Sequence, residues 1–144
     1  MYLLDTNVIS ELRKANTSRI DPNVARWAVR IDPSAMFLSA IVVEELEVGV
    51  LRLQRRDPAS ARILRIWLET RVLPIFRDRV LPVDTAVALT TAALRAPVNR
   101  PYRDSLIAAT AAVHGLTVAT RNSADFVHNG VPVINPWDVP PDSP

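Results

Sequence analysis

Four carboxylates and one amide interrupt otherwise apolar sequence. Asp5 lies in Leu-Leu-Asp-Thr-Asn and Glu45 in Val-Glu-Glu-Leu. Asp104 lies in Tyr-Arg-Asp-Ser-Leu-Ile, and Asn122 and Asp125 in Thr-Arg-Asn-Ser-Ala-Asp-Phe. Carboxylates gathered in one place with few other donors suit a hard divalent cation, Mg²⁺ with Mn²⁺ as the tolerated substitute. Such an ion activates water and neutralises charge on a phosphate undergoing in-line displacement. Rival chemistries find less support. There is no cysteine, so thiolate nucleophiles, disulfides and zinc–thiolate sites are excluded together. No Gly-rich phosphate loop and no Gly-x-Ser-x-Gly elbow occur. His114 and His128 are not at metal-ligand spacing from each other.

Each acid also has an ordinary structural explanation. Asp5 follows the apolar run Tyr2-Leu3-Leu4 and, with Thr6, is a good helix cap, the better account of it taken alone; at the carboxyl end of a parallel strand it would also face a ligand rim. Thr120 and Arg121 follow another apolar run and would reach the same rim. On a helix from position 40, Val42, Leu46, Gly49, Val50 and Leu53 form one stripe at ~100° per residue. Glu45 sits about 80° from its centre, Glu47 about 120° and Glu44 about 180°. Glu45 is thus the glutamate at the core's edge, and Gly49 beside it would open space. Asp104 shares a helix face with Ala108, Ala111 and Gly115, small residues that let the helix lie close to a sheet. A carboxylate carried inward there needs a cation, either an arginine or a metal. Asn-x-x-Asp at 122–125 is also a variant capping box, so capping and metal support stay open for Asn122, while Asp125 leans toward the site.

The elements that must position these residues follow from pattern and punctuation. Strands are expected at 2–4, 35–38, 80–83, 116–119 and 131–134. Helices are expected at 6–14, 21–31, 40–55, 58–72, 84–94 and 102–114, the last ended by Gly115, with a helical turn at 122–126. Strands alternating with helices argue for an α/β domain with a parallel sheet. At 144 residues with 49% apolar content the chain suits one domain with one core. It reads as a single domain over 1–137 followed by a Pro/Asp-rich tail over 138–144. The longest uncharged stretch, 105–120, is shorter than the ~20 apolar residues of a bilayer span. No secretory signal opens the chain, so a soluble, cytoplasmic protein without a membrane partner is expected. The net charge is +2, and of 17 basic residues only Lys14 is lysine. Arginine forks suit phosphate, but an Arg-rich composition is itself a sufficient cause.

Taken together the motifs resemble those of PIN-domain ribonuclease toxins of the VapC type, in particular the FitB-like branch. The resemblance rests on Met-Tyr-Leu-Leu-Asp-Thr-Asn-Val-Ile-Ser-Glu and Leu-Ser-Ala-Ile-Val-Val-Glu-Glu-Leu-Glu-Val-Gly-Val. It extends to the Asp104 helix ending in His-Gly-Leu-Thr, Thr-Arg-Asn-Ser-Ala-Asp-Phe, and Val-Ile-Asn-Pro-Trp. It spans nearly the whole chain with the motifs in order. It implies a three-layer α/β/α sandwich around a short, mainly parallel sheet, and an Mg²⁺- or Mn²⁺-dependent endoribonuclease. It implies that Asp5, Glu45 and Asp104 are the metal-binding and catalytic acids. Asp125 is the fourth catalytic acid, or Asn122 holds that corner, with Thr6, Asn7, Thr120 and Asn122 in support. It also implies an RNA substrate, a homodimer, and a small antitoxin whose tail can push an arginine into the acidic pocket. Trp27 and Trp67 would serve such surfaces or simply the core. Two alternatives stand beside this reading. One is a PIN-like module that binds a partner without catalysis. The other is a phosphoryl-transfer hydrolase with a first-strand Asp, which would want an acid where Asn7 stands.

Overall fold

The computed structural model describes residues 1–139. The expected tail at 138–144 lies outside the described residues from position 140 onward. Five short strands form one sheet in the order β3-β2-β1-β4-β5. They are β1 (Tyr2–Leu4), β2 (Met36–Ser39), β3 (Val80–Leu81), β4 (Thr117–Ala119) and β5 (Val133–Ile134). Every pairing is parallel, with Leu3 opposite both Phe37 and Val118 and Leu4 opposite Ala119. A parallel sheet is covered on both faces, so its central strands are apolar throughout rather than alternating. Leu3, Leu4, Leu38, Val118 and Ala119 are accordingly buried. Each fully buried leucine contributes about 1.5–3 kcal/mol of burial free energy.

The helices are α1 (Thr6–Leu12), α2 (Pro22–Val29), α3 (Ala40–Arg56), α4 (Pro58–Trp67), α5 (Leu73–Ile75), α6 (Thr85–Arg95) and α7 (Tyr102–His114). Most begin where a short polar side chain can accept from a free backbone N–H. Asp21 accepts from Asn23 and Val24, Ser39 from Ile41 and Asp84 from Val87. Gly115 ends α7 at φ 66°, the left-handed conformation that needs no Cβ.

Several sequence expectations shift; β3 ends at Leu81 rather than 83, and α1 at Leu12 rather than 14. The helix begun at Pro58 is not uniform: it widens into a π turn over Leu68–Val72 before α5. Two local causes are present there. The Thr70 hydroxyl donates to the Ile66 carbonyl at 2.6 Å, and Pro74 lacks the N–H that would bond back to residue 70. Strands β4 and β5 begin at Thr117 and Val133 rather than 116 and 131. Gly49 is exposed, and a Cβ added there would meet open space, so its lack of a side chain makes no room beside Glu45. The 122–126 turn is a 3₁₀ turn over Ser123–Asp125 followed by another over Val127–Asn129. Trp27 is core, packed edge-on to Tyr2 with ring centroids 5.3 Å apart. Among the described residues no helix is long and apolar enough to cross a membrane.

Candidate active site at the strand ends

Three elements deliver three acids to one point. Asp5 directly follows β1, and its backbone N–H donates to the Ala119 carbonyl at 2.9 Å, which extends the β1–β4 ladder by one step. That bond fixes the carboxylate at the carboxyl edge of the sheet, where parallel α/β sheets present ligands. The side chain is buried. Its Oδ2 accepts from the Thr120 hydroxyl at 2.7 Å, and its Oδ1 from the Thr6 N–H at 2.8 Å. Capping therefore describes only one of its bonds, and that one goes to the first helical residue rather than the second or third.

Glu45 projects from the second turn of α3, which the Ser39 cap starts at the end of β2. Its neighbours separate as the helical wheel predicts: Glu44 is exposed, and Glu47 turns aside to pair with Arg65 on α4. Glu45 accepts from the Thr6 hydroxyl at 2.5 Å. Asp104 lies in the first turn of α7, whose Ala108 and Ala111 are fully buried and bring the helix onto the sheet. The helix cap is Pro101, which has no side-chain cap bond, so Asp104 is not there as a cap. Burial pushes its carboxyl above the ordinary 3.8; the neighbouring Arg103 opposes this, and the like charges of Asp5 and Asp125 add to it.

The side chain that ties the three together is Arg103, which sequence reasoning did not single out. Its Nη2 donates to Asp5 Oδ1 at 2.5 Å and to Glu45 Oε2 at 2.7 Å, and its Nη1 to Asp104 Oδ1 at 2.7 Å. Its Nε donates to Glu45 Oε1, and Nη2 also approaches the Thr6 hydroxyl at 3.2 Å. The fork geometry of guanidinium makes this multiple engagement feasible where an ammonium would manage a single point contact. One signal pointed here: an inward-facing acid requires a cation, and Arg103 is the adjacent residue. Among the described residues no group of three His, Cys, Asp or Glu stands arranged to hold an ion; in the cage itself Arg103 occupies the centre.

The supporting residues form a polar brace. Asn7 donates to the Thr120 hydroxyl at 3.4 Å and accepts from the Arg121 N–H at 3.1 Å. Thr120 also accepts from the Asn122 N–H at 3.0 Å. The fourth corner is looser. Asn122 makes no side-chain cap bond, so the capping-box reading fails. Asp125 is exposed and is not bonded to the other acids, although its charge reaches Asp104. A cleft of about 470 Å³ runs beside Asp104 and Asp125, with Arg100, Ser105, His128 and Asn129 in its walls.

A protein-family model described as the PIN domain matches residues 2–130. Toxin FitB of Neisseria gonorrhoeae is 41% identical over 143 residues, covering 95% of this chain and 99% of its own length. VapC ribonuclease Y4jK of Sinorhizobium fredii is 40% identical over 145 residues, covering 96% and 99%. The crystal structure of FitAcB from Neisseria gonorrhoeae superposes with a TM-score of 0.86 at 38% identity, covering 96% of this chain and 100% of that one.

Proposed function

This chain belongs to the PIN-domain family, and from that premise we propose that it is a divalent-metal-dependent endoribonuclease, the toxin of a toxin–antitoxin pair. The observation that carries the reading is the convergence of Asp5, Glu45 and Asp104, from three separate elements, on one guanidinium at the strand ends. Its similarity to a protein named as a toxin and to one named as a VapC ribonuclease supports the substrate class and the biological role.

The donor set fits a hard cation. It offers carboxylate oxygens from three elements, with threonine hydroxyls behind them and no thiolate or imidazole. We assign Asp5, Glu45 and Asp104 to holding Mg²⁺, with Mn²⁺ as its substitute. When bound, the ion supplies an activated water and charge neutralisation for in-line displacement at a phosphodiester. Thr120 and Thr6 hold the Asp5 and Glu45 carboxylates in fixed orientations, and Asn7 braces Thr120. Asp125, at the far side of Asp104 on the cleft, is assigned as the fourth acid, with Asn122 in support of that corner. The cleft beside Asp104 has the size of a small-ligand site and is assigned to the RNA strand next to the scissile bond. A small antitoxin protein and a second copy of the chain are the proposed partners; the similarity to a FitAB assembly supports the first.

Purified chain incubated with cellular RNA tests the assignment. Cleavage is expected with Mg²⁺ or Mn²⁺, to stop with excess chelator, and to be lost in Asp5→Asn. Cleavage that persists undiminished in chelator would overturn it.

A further inference from the structure

The oxygens that would face a cation are the ones Arg103 holds. Asp5 has two carboxylate oxygens. Oδ2 accepts from the Thr120 hydroxyl at 2.7 Å, and Oδ1 accepts both the Thr6 N–H at 2.8 Å and Arg103 Nη2 at 2.5 Å. Both Glu45 oxygens and Asp104 Oδ1 are bonded to the same guanidinium. A divalent ion and the Arg103 head therefore cannot occupy the cage together with these bonds intact. One +1 head against three carboxylates also leaves the cage with an excess of two negative charges. A dication satisfies that charge better than arginine does.

Arg103 has somewhere to go. Its side chain is 34% exposed, against 2% for Asp5, so it closes the cage from the solvent side. Its neighbour Asp104 lines the cleft that also carries Arg100. A guanidinium released there meets the groove in which a polyanion would lie, and bidentate phosphate contact is the interaction arginine makes best.

Building on the metal-dependent nuclease reading, we propose that Arg103 is a resident counter-cation of the acid cage, exchanged for the divalent ion and transferred to a phosphate of the RNA. In the metal-free chain it offsets part of the negative charge of the three acids. In the loaded chain it positions substrate. The same residue thus weakens metal binding and strengthens RNA binding.

Mn²⁺ titration of the full chain, followed by electron paramagnetic resonance, separates the two ideas. Wild type, Asp5→Asn, Arg103→Gln and Arg103→Lys are compared. Arg103→Gln is expected to bind Mn²⁺ at least about fivefold more tightly than wild type, the low end of ordinary coupling between competing occupants. Arg103→Lys, which keeps the charge and loses the fork, falls between them. The rise in Tm on adding Mn²⁺ should likewise be larger for Arg103→Gln than for wild type, a readout that also reports whether the variants fold. With saturating Mn²⁺ and a non-cleavable RNA, Arg103→Gln should flatten the salt dependence of binding by about one phosphate contact, a slope change of roughly 0.7–0.9. Mn²⁺ affinity unchanged or weaker in both Arg103 variants, while Asp5→Asn loses binding, would overturn the exchange and leave the carboxylate assignment standing. An unchanged salt slope would overturn the transfer to phosphate. No Mn²⁺ binding by wild type would overturn both proposals.

Discussion

Two arginine–carboxylate clusters among the described residues have opposite electrostatic characters. On the outer α3–α4 surface Arg65 pairs with Glu47 at 2.5 Å and approaches Glu69 at 3.9 Å, with both acids well exposed. At the strand ends Arg103 binds three acids, one of them almost fully buried. The hydrogen bond from Arg65 holds the Glu47 carboxyl below its ordinary value. Burial lifts the Asp104 carboxyl above its own, despite an arginine on it. Where solvent remains, an arginine wins; where water is removed and like charges crowd in, the desolvation penalty exceeds what one guanidinium returns. A site that leaves its acids underneutralised is poised to take a further cation. A surface pair is not.

That contrast can be broken at several points. The largest effect is expected for Asp5→Asn and Asp104→Asn, each lowering the RNA cleavage rate by about 100-fold or more, the scale of losing a preorganised charged group at a reacting phosphate. Glu47→Gln, in the surface cluster, should leave the rate unchanged in the same assay. Next comes Thr120→Val, which removes the bond to Asp5 Oδ2 without changing shape. Leaving that oxygen unsatisfied costs about 1–3 kcal/mol, and metal affinity measured by titration should fall by about 10–100-fold as for other orienting residues.

A smaller effect separates the clusters by pH. Because the folded state holds the Asp104 proton more tightly than the unfolded state, Asp104 contributes stability below 3.8 and loses it as pH rises through its higher folded value. Asp104→Asn should therefore raise Tm at pH 7 by about 2 °C, a sub-kcal/mol change for a domain of this size, with the gain vanishing below pH 3.8. Glu47 runs the other way. Its stabilisation is present above 4.5 and fades as pH falls through its lowered folded value. Thermal melts of Glu47→Gln should thus show a small loss at pH 7 that disappears in acid.

Much of this frame was legible in the residues themselves. Apolar runs ending in Asp5 and Thr120 marked two strand ends, and the helix starts expected at 21, 40 and 84 fall where Asp21, Ser39 and Asp84 meet free N–H groups. Periodicity separated Glu45 from Glu44 correctly, and the alanines beside Asp104 showed that its helix lies close to the sheet. The role of Arg103 was not legible. On a helical wheel it stands about 100° from Asp104, and only a long, flexible side chain folding back across its own helix brings it over the acids. Nor was the 122–129 segment, where two 3₁₀ turns replace any periodic element and no side-chain cap fixes Asn122. Gly49 misled because a glycine on an apolar stripe suggests open space, whereas the buried face of α3 runs through Val42, Leu46 and Val50 and leaves Gly49 exposed at its edge.

The two adjacent glutamates of α3 offer the most direct test of the claim that Asp5, Glu45 and Asp104 form the RNA-cleaving site. They sit side by side on one helix, Glu44 exposed and Glu45 bonded to Thr6 and Arg103, so composition and charge are matched between Glu45→Gln and Glu44→Gln while the site is touched by one alone. Single-turnover cleavage of a defined RNA in Mn²⁺ should fall by about 100-fold or more for Glu45→Gln and stay at the wild-type rate for Glu44→Gln. Equal rates for the two variants would contradict the account.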